Sequence, residues 1–140
     1  MTTSQLAAGY HRKCTDRLAA LQVLFDREAW SDVIRESQEV VELALKGILR
    51  GVGIDPPKWH DVGGLLLEHA AKIPGISLAE LDALAKASKK LRKEREFSFY
   101  GDIDFIPTEE YDRTDARAAL DHARDATRAL GQVLSHLREP

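Results

Sequence analysis

Asp32–Gly53, DVIRESQEVVELALKGILRGVG, is the stretch on which the fold turns. Its apolar residues, Val33, Ile34, Val40, Val41, Ala44, Leu45, Ile48 and Leu49, recur at spacings of three and four, the period of a wide helix face and not the alternation of a strand. Ser31 precedes the run as an N-cap candidate, and Gly51 and Gly53 follow it as stop signals. Along the same helix Gln38, Glu42 and Lys46 stand four residues apart, so the three polar side chains stack on one face.

Outward from this helix the same period persists. Upstream, Leu6, Tyr10, Cys14, Leu18, Leu21 and Phe25 form one stripe of a helix that follows Ser4 as N-cap and runs to about Asp26. Downstream, the Pro56-Pro57 pair breaks the helical backbone. A short helix follows Asp61 and stops at Pro74-Gly75. Ser77-Leu78-Ala79-Glu80 then has capping-box spacing and predicts a long helix with Leu78, Leu81, Leu84, Ala85, Ser88 and Leu91 on its apolar face. Continuing that spacing brings in Arg95, Ser98 and Phe99, which puts Arg95 on the inward side. Gly101 to Pro107 reads as a loop. The last helix starts at Thr108 or at Thr114 and runs to about Leu137, with Ala116, Ala119, Leu120, Ala123, Leu130, Val133, Leu134 and Leu137 on one face. The expected fold is all-α, an antiparallel up-and-down helical bundle of four long helices and one short helix.

A chain of 140 residues suits a single domain, 1–140, around one core. With 44% hydrophobic and 31% charged residues it has the composition of a folded globular protein. A net charge of -3 argues against a broad basic surface for duplex DNA. Cys14 is the single cysteine, so there is no internal disulfide and no paired-cysteine metal site. No apolar run approaches the roughly 18 residues of a membrane span, and the opening residues lack the pattern of a secretion signal. The expectation is a cytoplasmic protein that does not engage a membrane.

Three pieces of sequence remain to be read together. They are Gln38, Glu42 and Lys46 on the second helix, His60-Asp61 opening the next one, and Arg95-Glu96-Phe97-Ser98-Phe99-Tyr100-Gly101-Asp102 at the end of the fourth helix, followed by a last helix rich in alanine. In this order and spacing, from roughly Leu6 to Leu137, the chain resembles the HEPN family, the higher eukaryotes and prokaryotes nucleotide-binding domain. The resemblance implies a compact helical bundle that commonly dimerises. It also implies either a metal-independent ribonuclease or a non-catalytic partner of a minimal nucleotidyltransferase in a toxin–antitoxin pair. The family's nuclease signature is an arginine followed after four to six residues by a histidine. Here Arg95 is present, and Tyr100 stands where the histidine would be.

Cleavage of RNA through its 2′-hydroxyl needs a group that exchanges a proton near neutral pH. Histidine does so, whereas an ordinary tyrosine titrates near 10. Arg95 can still hold a phosphate through its guanidinium fork. Candidate ligand-binding residues are therefore Arg95, Tyr100, Asp102, Glu42 and Lys46. Arg95, Tyr100 and His60 are the candidates for catalysis if any is present. Glu42 and Lys46 have a second reading as an ordinary helix pair four residues apart. His60 with Asp61 has a second reading as a helix-start device, with Asp61 capping the first amides.

Other residues are weighed and set aside. Arg117 and His122 fit the literal arginine–histidine spacing but lie inside the last helix, where five positions turn them about 140° apart. His11, His69 and His136 have no metal-ligand spacing, so no metal and no cofactor is expected. Gly63-Gly64 is too isolated for a phosphate loop. The run from Lys86 to Arg95, KASKKLRKER, reads either as a solvated helix flank or as a basic stripe suited to a phosphate-bearing ligand. The wide face of the second helix, with Trp30, Phe97 and Phe99, predicts apolar surface left over for a homodimer.

The function expected from all this is a nucleotide- or RNA-binding regulatory module, single-stranded RNA included, linked to a toxin–antitoxin or minimal nucleotidyltransferase system. The alternatives are an active metal-independent ribonuclease using Arg95 with Tyr100 or His60, and a purely structural dimeric partner protein.

Overall fold

A computed structural model describes residues 3–56, 58, 62–99 and 110–138, with the side chains of all of these except 95–99. Among them are five α-helices and one short 3-10 turn, and no strand. The helices are α1 (Thr3–Asp26), α2 (Trp30–Gly51), α3 (Val62–Glu68), α4 (Leu78–Phe99) and α5 (Arg113–Arg138), with the turn at Ala70–Lys72. This is the predicted bundle of four long helices and one short one.

Neighbouring long helices run antiparallel. Arg17 of α1 faces Glu36 of α2 at 3.7 Å, and the Cys14 thiol donates to the Val40 carbonyl at 3.7 Å, so rising numbers on one helix meet falling numbers on the other. Between α1 and α5, Arg124 donates to Gln22 Oε1 at 2.8 Å. By contrast α2 and α5 run parallel: Leu130 packs at Gly47, and Leu134 and Leu137 at Gly51. This parallel pair makes the most extensive helix contact and forms the axis of the bundle. α1 lies along one side of it, α4 and α3 along the other, and α2 touches all four other helices.

The fold follows from α2's stripe. Every apolar residue predicted on it, from Val33 to Leu49, is buried in the single chain. Each such aliphatic side chain contributes about 1.5–3 kcal/mol on leaving water. Those eight side chains belong to the core, while Trp30 and Leu43 of the same helix are only partly buried. The exposed large apolar residues among those described are instead Val23, Leu67, Leu78 and Leu137, scattered over four helices. Leu78 (64% exposed) and Leu137 (42%) were expected on buried faces, but each sits at a helix terminus where the packing partner ends.

The helix ends differ from expectation in informative ways. Ser4 lies within α1 and is not its cap. Ser31 likewise is buried in the first turn of α2, whose N-cap is Ala29 with no side-chain bond. Stacking of Trp30 edge-on against Phe25, with ring centres 5.1 Å apart, fixes that corner in place of a hydroxyl cap. At the far end α2 stops at Gly51, and Gly53 adopts φ +83°, a left-handed conformation open to glycine. The Glu80 amide donates to Ser77 Oγ at 3.1 Å, which is one half of the predicted box. α5 begins at Arg113 and neither at Thr114 nor at Thr108, the latter outside the described residues. Its cap is a reciprocal pair: the Asp115 amide donates to Asp112 Oδ1 at 2.9 Å and the Asp112 amide to Asp115 Oδ2 at 3.1 Å.

Candidate functional site

The polar face of α2 carries a short ladder. Gln38 is buried (1% exposed), and its Nε2 donates to Glu42 Oε2 at 2.9 Å. Lys46 Nζ stands 3.3 Å from Glu42 Oε1, with both of those side chains about a quarter exposed. The ladder thus climbs from a buried amide to an ammonium about three-quarters shielded. A Glu–Lys pair of this spacing on an open helix contributes only about 0.2–0.5 kcal/mol. Gln38 Oε1, however, is buried without a hydrogen-bond partner, and an unmade bond of that kind costs about 1–3 kcal/mol.

Of the six candidate residues, the structure therefore brings together Glu42 and Lys46. The Arg95 backbone lies in the final part of α4, and its side chain is outside the described residues. His60, Tyr100 and Asp102 also lie outside them.

A neighbouring contact was not foreseen from the sequence. The Tyr111 hydroxyl donates to Glu94 Oε2 at 2.7 Å, joining the approach to α5 to the residue just before Arg95. Burial, and next the Glu94 carboxylate, push the Tyr111 phenol well above its ordinary value, so it remains a hydrogen-bond donor at neutral pH. Seventeen residues separate the partners, and no local pattern announces such a bond.

The arginine–histidine pair within α5 is split as its angular separation requires. Arg117 lies over the Phe25 ring at 4.4 Å, beside Arg113 at 5.2 Å. His122 instead faces the groove between α4 and α5, where it borders two adjoining cavities of about 320 and 270 Å³. Gly63 has a packing role: a Cβ there would lie 2.8 Å from the Ala85 Cα, so α3 meets α4 at backbone distance. Among the described residues no group of three or more His, Cys, Asp or Glu is placed to hold a metal ion, and no helix is long and apolar enough to cross a membrane.

The fold is an all-helical bundle with Arg95 on the last turns of α4 and a Gln38–Glu42–Lys46 ladder on α2. A model of the HEPN domain matches residues 9–133, nearly the whole length, and the chain belongs to the HEPN family. No curated protein and no solved structure is significantly similar to it.

Proposed function

We propose that this HEPN domain is a nucleotide- or RNA-binding regulatory module with weak or no catalysis. It acts in the cytoplasm as a homodimer, in a toxin–antitoxin or minimal nucleotidyltransferase system. The observation that carries the reading is the sequence Arg95–Asp102, in which the resemblance to the family sets Arg95 at its arginine and Tyr100 where its histidine would stand. The phosphate-holding group is retained and the proton-exchanging group is replaced by one that titrates about three units too high for neutral chemistry. The α2 ladder supports a binding role through Glu42 and Lys46, whose side chains are each about a quarter exposed. Arg95, Tyr100, Asp102, Glu42 and Lys46 are the proposed ligand contacts.

The test is metal-free incubation of the purified protein with a mixed RNA pool, alongside Arg95→Ala, read for both cleavage and retention of RNA. Retention without cleavage, weakened in the variant, is the expected result. Cleavage that disappears in the variant would replace this reading with an active ribonuclease using Tyr100 or His60. No retention of RNA or of ATP, with a lower Tm for Arg95→Ala, would leave a structural partner protein. A monomeric mass by light scattering at micromolar concentration would remove the homodimer.

A further inference from the structure

The outer face of α4 concentrates positive charge in an otherwise acidic protein. Lys86, Lys89, Lys90 and Lys93 are all exposed. At about 100° per residue they fall within a sector of roughly 100°, directly opposite the buried Leu84, Ser88 and Leu91. They form one ridge, about 10 Å long from the first lysine to the last. Lys86 is paired with Asp82 at 2.8 Å, whereas Lys89, Lys90 and Lys93 make no salt bridge among the described residues. The ridge therefore stacks like charges at spacings of three and four: Lys86 with Lys89 and Lys90, Lys89 with Lys93, and Lys90 with Lys93. Each such neighbour destabilises the helix in the absence of a counter-charge.

The surroundings restrict what can supply that counter-charge. On the α5 side the groove is of mixed charge, with Glu80, Glu94, Asp115 and Asp125 set against Lys90, His122 and Arg128, whereas the outer face gathers the lysines. Within the same sector stand Asp82, ion-paired with Lys86, and, toward the start, the small Ala79 and Ala83. Protein interfaces are depleted in lysine and organised around buried aromatic or aliphatic anchors, and among the described residues the one large apolar side chain exposed on α4 is Leu78, at the start of the helix. A phosphodiester backbone needs no such anchor, because its contacts are charge on charge and carry no sequence information. A short row of lysines suits the flexible backbone of a single strand, which can follow it along one helix face.

We infer that Lys86, Lys89, Lys90 and Lys93 form a track for the phosphate backbone of single-stranded RNA, an anchoring surface separate from the Arg95 end of the same helix. The inference rests on the RNA-binding reading proposed above and adds the surface and the mode. The helical period places position 95 on the side opposite the ridge, so a strand reaches both only by passing over the C-terminal end of α4. The ridge then supplies affinity of a salt-sensitive, sequence-blind kind.

The experiment measures binding of a fluorescein-labelled, mixed-sequence 20-nucleotide RNA by anisotropy from 50 to 300 mM salt. The proteins are the wild type, a quadruple Lys→Gln variant at 86, 89, 90 and 93, the matching quadruple Lys→Arg variant, and Arg95→Ala. Four neutralised phosphates contribute about -2.8 to the slope of log K against log salt, at about -0.7 each. The Lys→Gln variant is expected to lose two to three units of slope and to bind at least about tenfold more weakly at 100 mM salt, while the Lys→Arg variant keeps both. An unchanged slope in Lys→Gln, with binding weakened by Arg95→Ala, would overturn the track and leave the RNA-binding reading intact. No RNA binding by the wild type would overturn both. Equal binding of polyglutamate of the same charge and length would overturn the track in favour of an acidic protein partner. All four lysines are exposed, and the repulsion relieved offsets loss of the exposed Lys86–Asp82 pair, so a Tm close to that of the wild type accompanies the expected result.

Discussion

Tyr111 and Glu94, seventeen residues apart, are joined by a 2.7 Å hydrogen bond that fastens the approach to α5 onto α4 one residue before Arg95. A partly shielded hydroxyl bonded to a carboxylate contributes about 1 kcal/mol, so Tyr111→Phe should lower the Tm by a few degrees. The bond also has a pH signature. The folded phenol titrates above its unfolded value near 10, so its contribution is complete below about pH 10 and is lost as the pH rises beyond it. Chemical denaturation at pH 8 and at pH 10.5 should show a larger loss of stability in the wild type than in Tyr111→Phe. Equal losses would mean that this phenol carries no linkage.

At Gly63, α3 lies against the Ala85 backbone, with no room for a methyl group. Gly63→Ala should therefore destabilise the protein by about 1–3 kcal/mol, since the obstruction is main chain and cannot rotate away. The contrasting substitution is Gly9→Ala, where a Cβ meets nothing within 4 Å on α1. That change should stabilise by about 0.5–1 kcal/mol through helix propensity. Urea midpoints of the two variants should move in opposite directions.

Cys14 is fully buried, and desolvation raises its thiol from 9.0 to about 11. At pH 8 this alone makes the thiolate about 100-fold scarcer than in the unfolded chain, because reactivity follows the ionised fraction. Labelling with a chromogenic disulfide should be slow in buffer and immediate in 6 M guanidinium. Fast labelling of the native protein would contradict the packing of α1 on α2.

Arg117 lies on the Phe25 ring, in a contact of about 0.5–2 kcal/mol. Arg117→Ala should reduce the Tm and leave RNA retention as it was. A selective loss of RNA binding at unchanged Tm would instead show that the arginine–histidine spacing inside α5 carries function after all.

The architecture was legible in the sequence because it rests on period alone: the α2 stripe Val33–Leu49 and the α5 stripe Ala116–Leu134 are buried as their spacing requires. Helix ends were less legible. A serine such as Ser31 is a good cap in isolation, but here it is buried within the first turn of α2 while Trp30 stacks on Phe25 at the corner, a tertiary contact that local spacing does not encode. The Asp112–Asp115 box was overlooked because threonines near it satisfied the same rule. For the site, the Gln38–Glu42–Lys46 ladder could be read from its spacing of four, whereas the burial that leaves the Gln38 carbonyl without a partner depends on which helices close over it. The Tyr111–Glu94 bond joins residues brought together by the turn between two helices, and no periodicity encodes it.

The parallel α2–α5 pair has a consequence for how this chain can change. α1 and α4 flank that axis on different sides and barely meet, so substitutions on the two should add without coupling, each flank answering only to the shared centre. The lysine face of α4 can thus be rewritten for a different ligand at no expense to the α1 side. Such partition lets a lineage diversify one flank while the other holds the inherited shape.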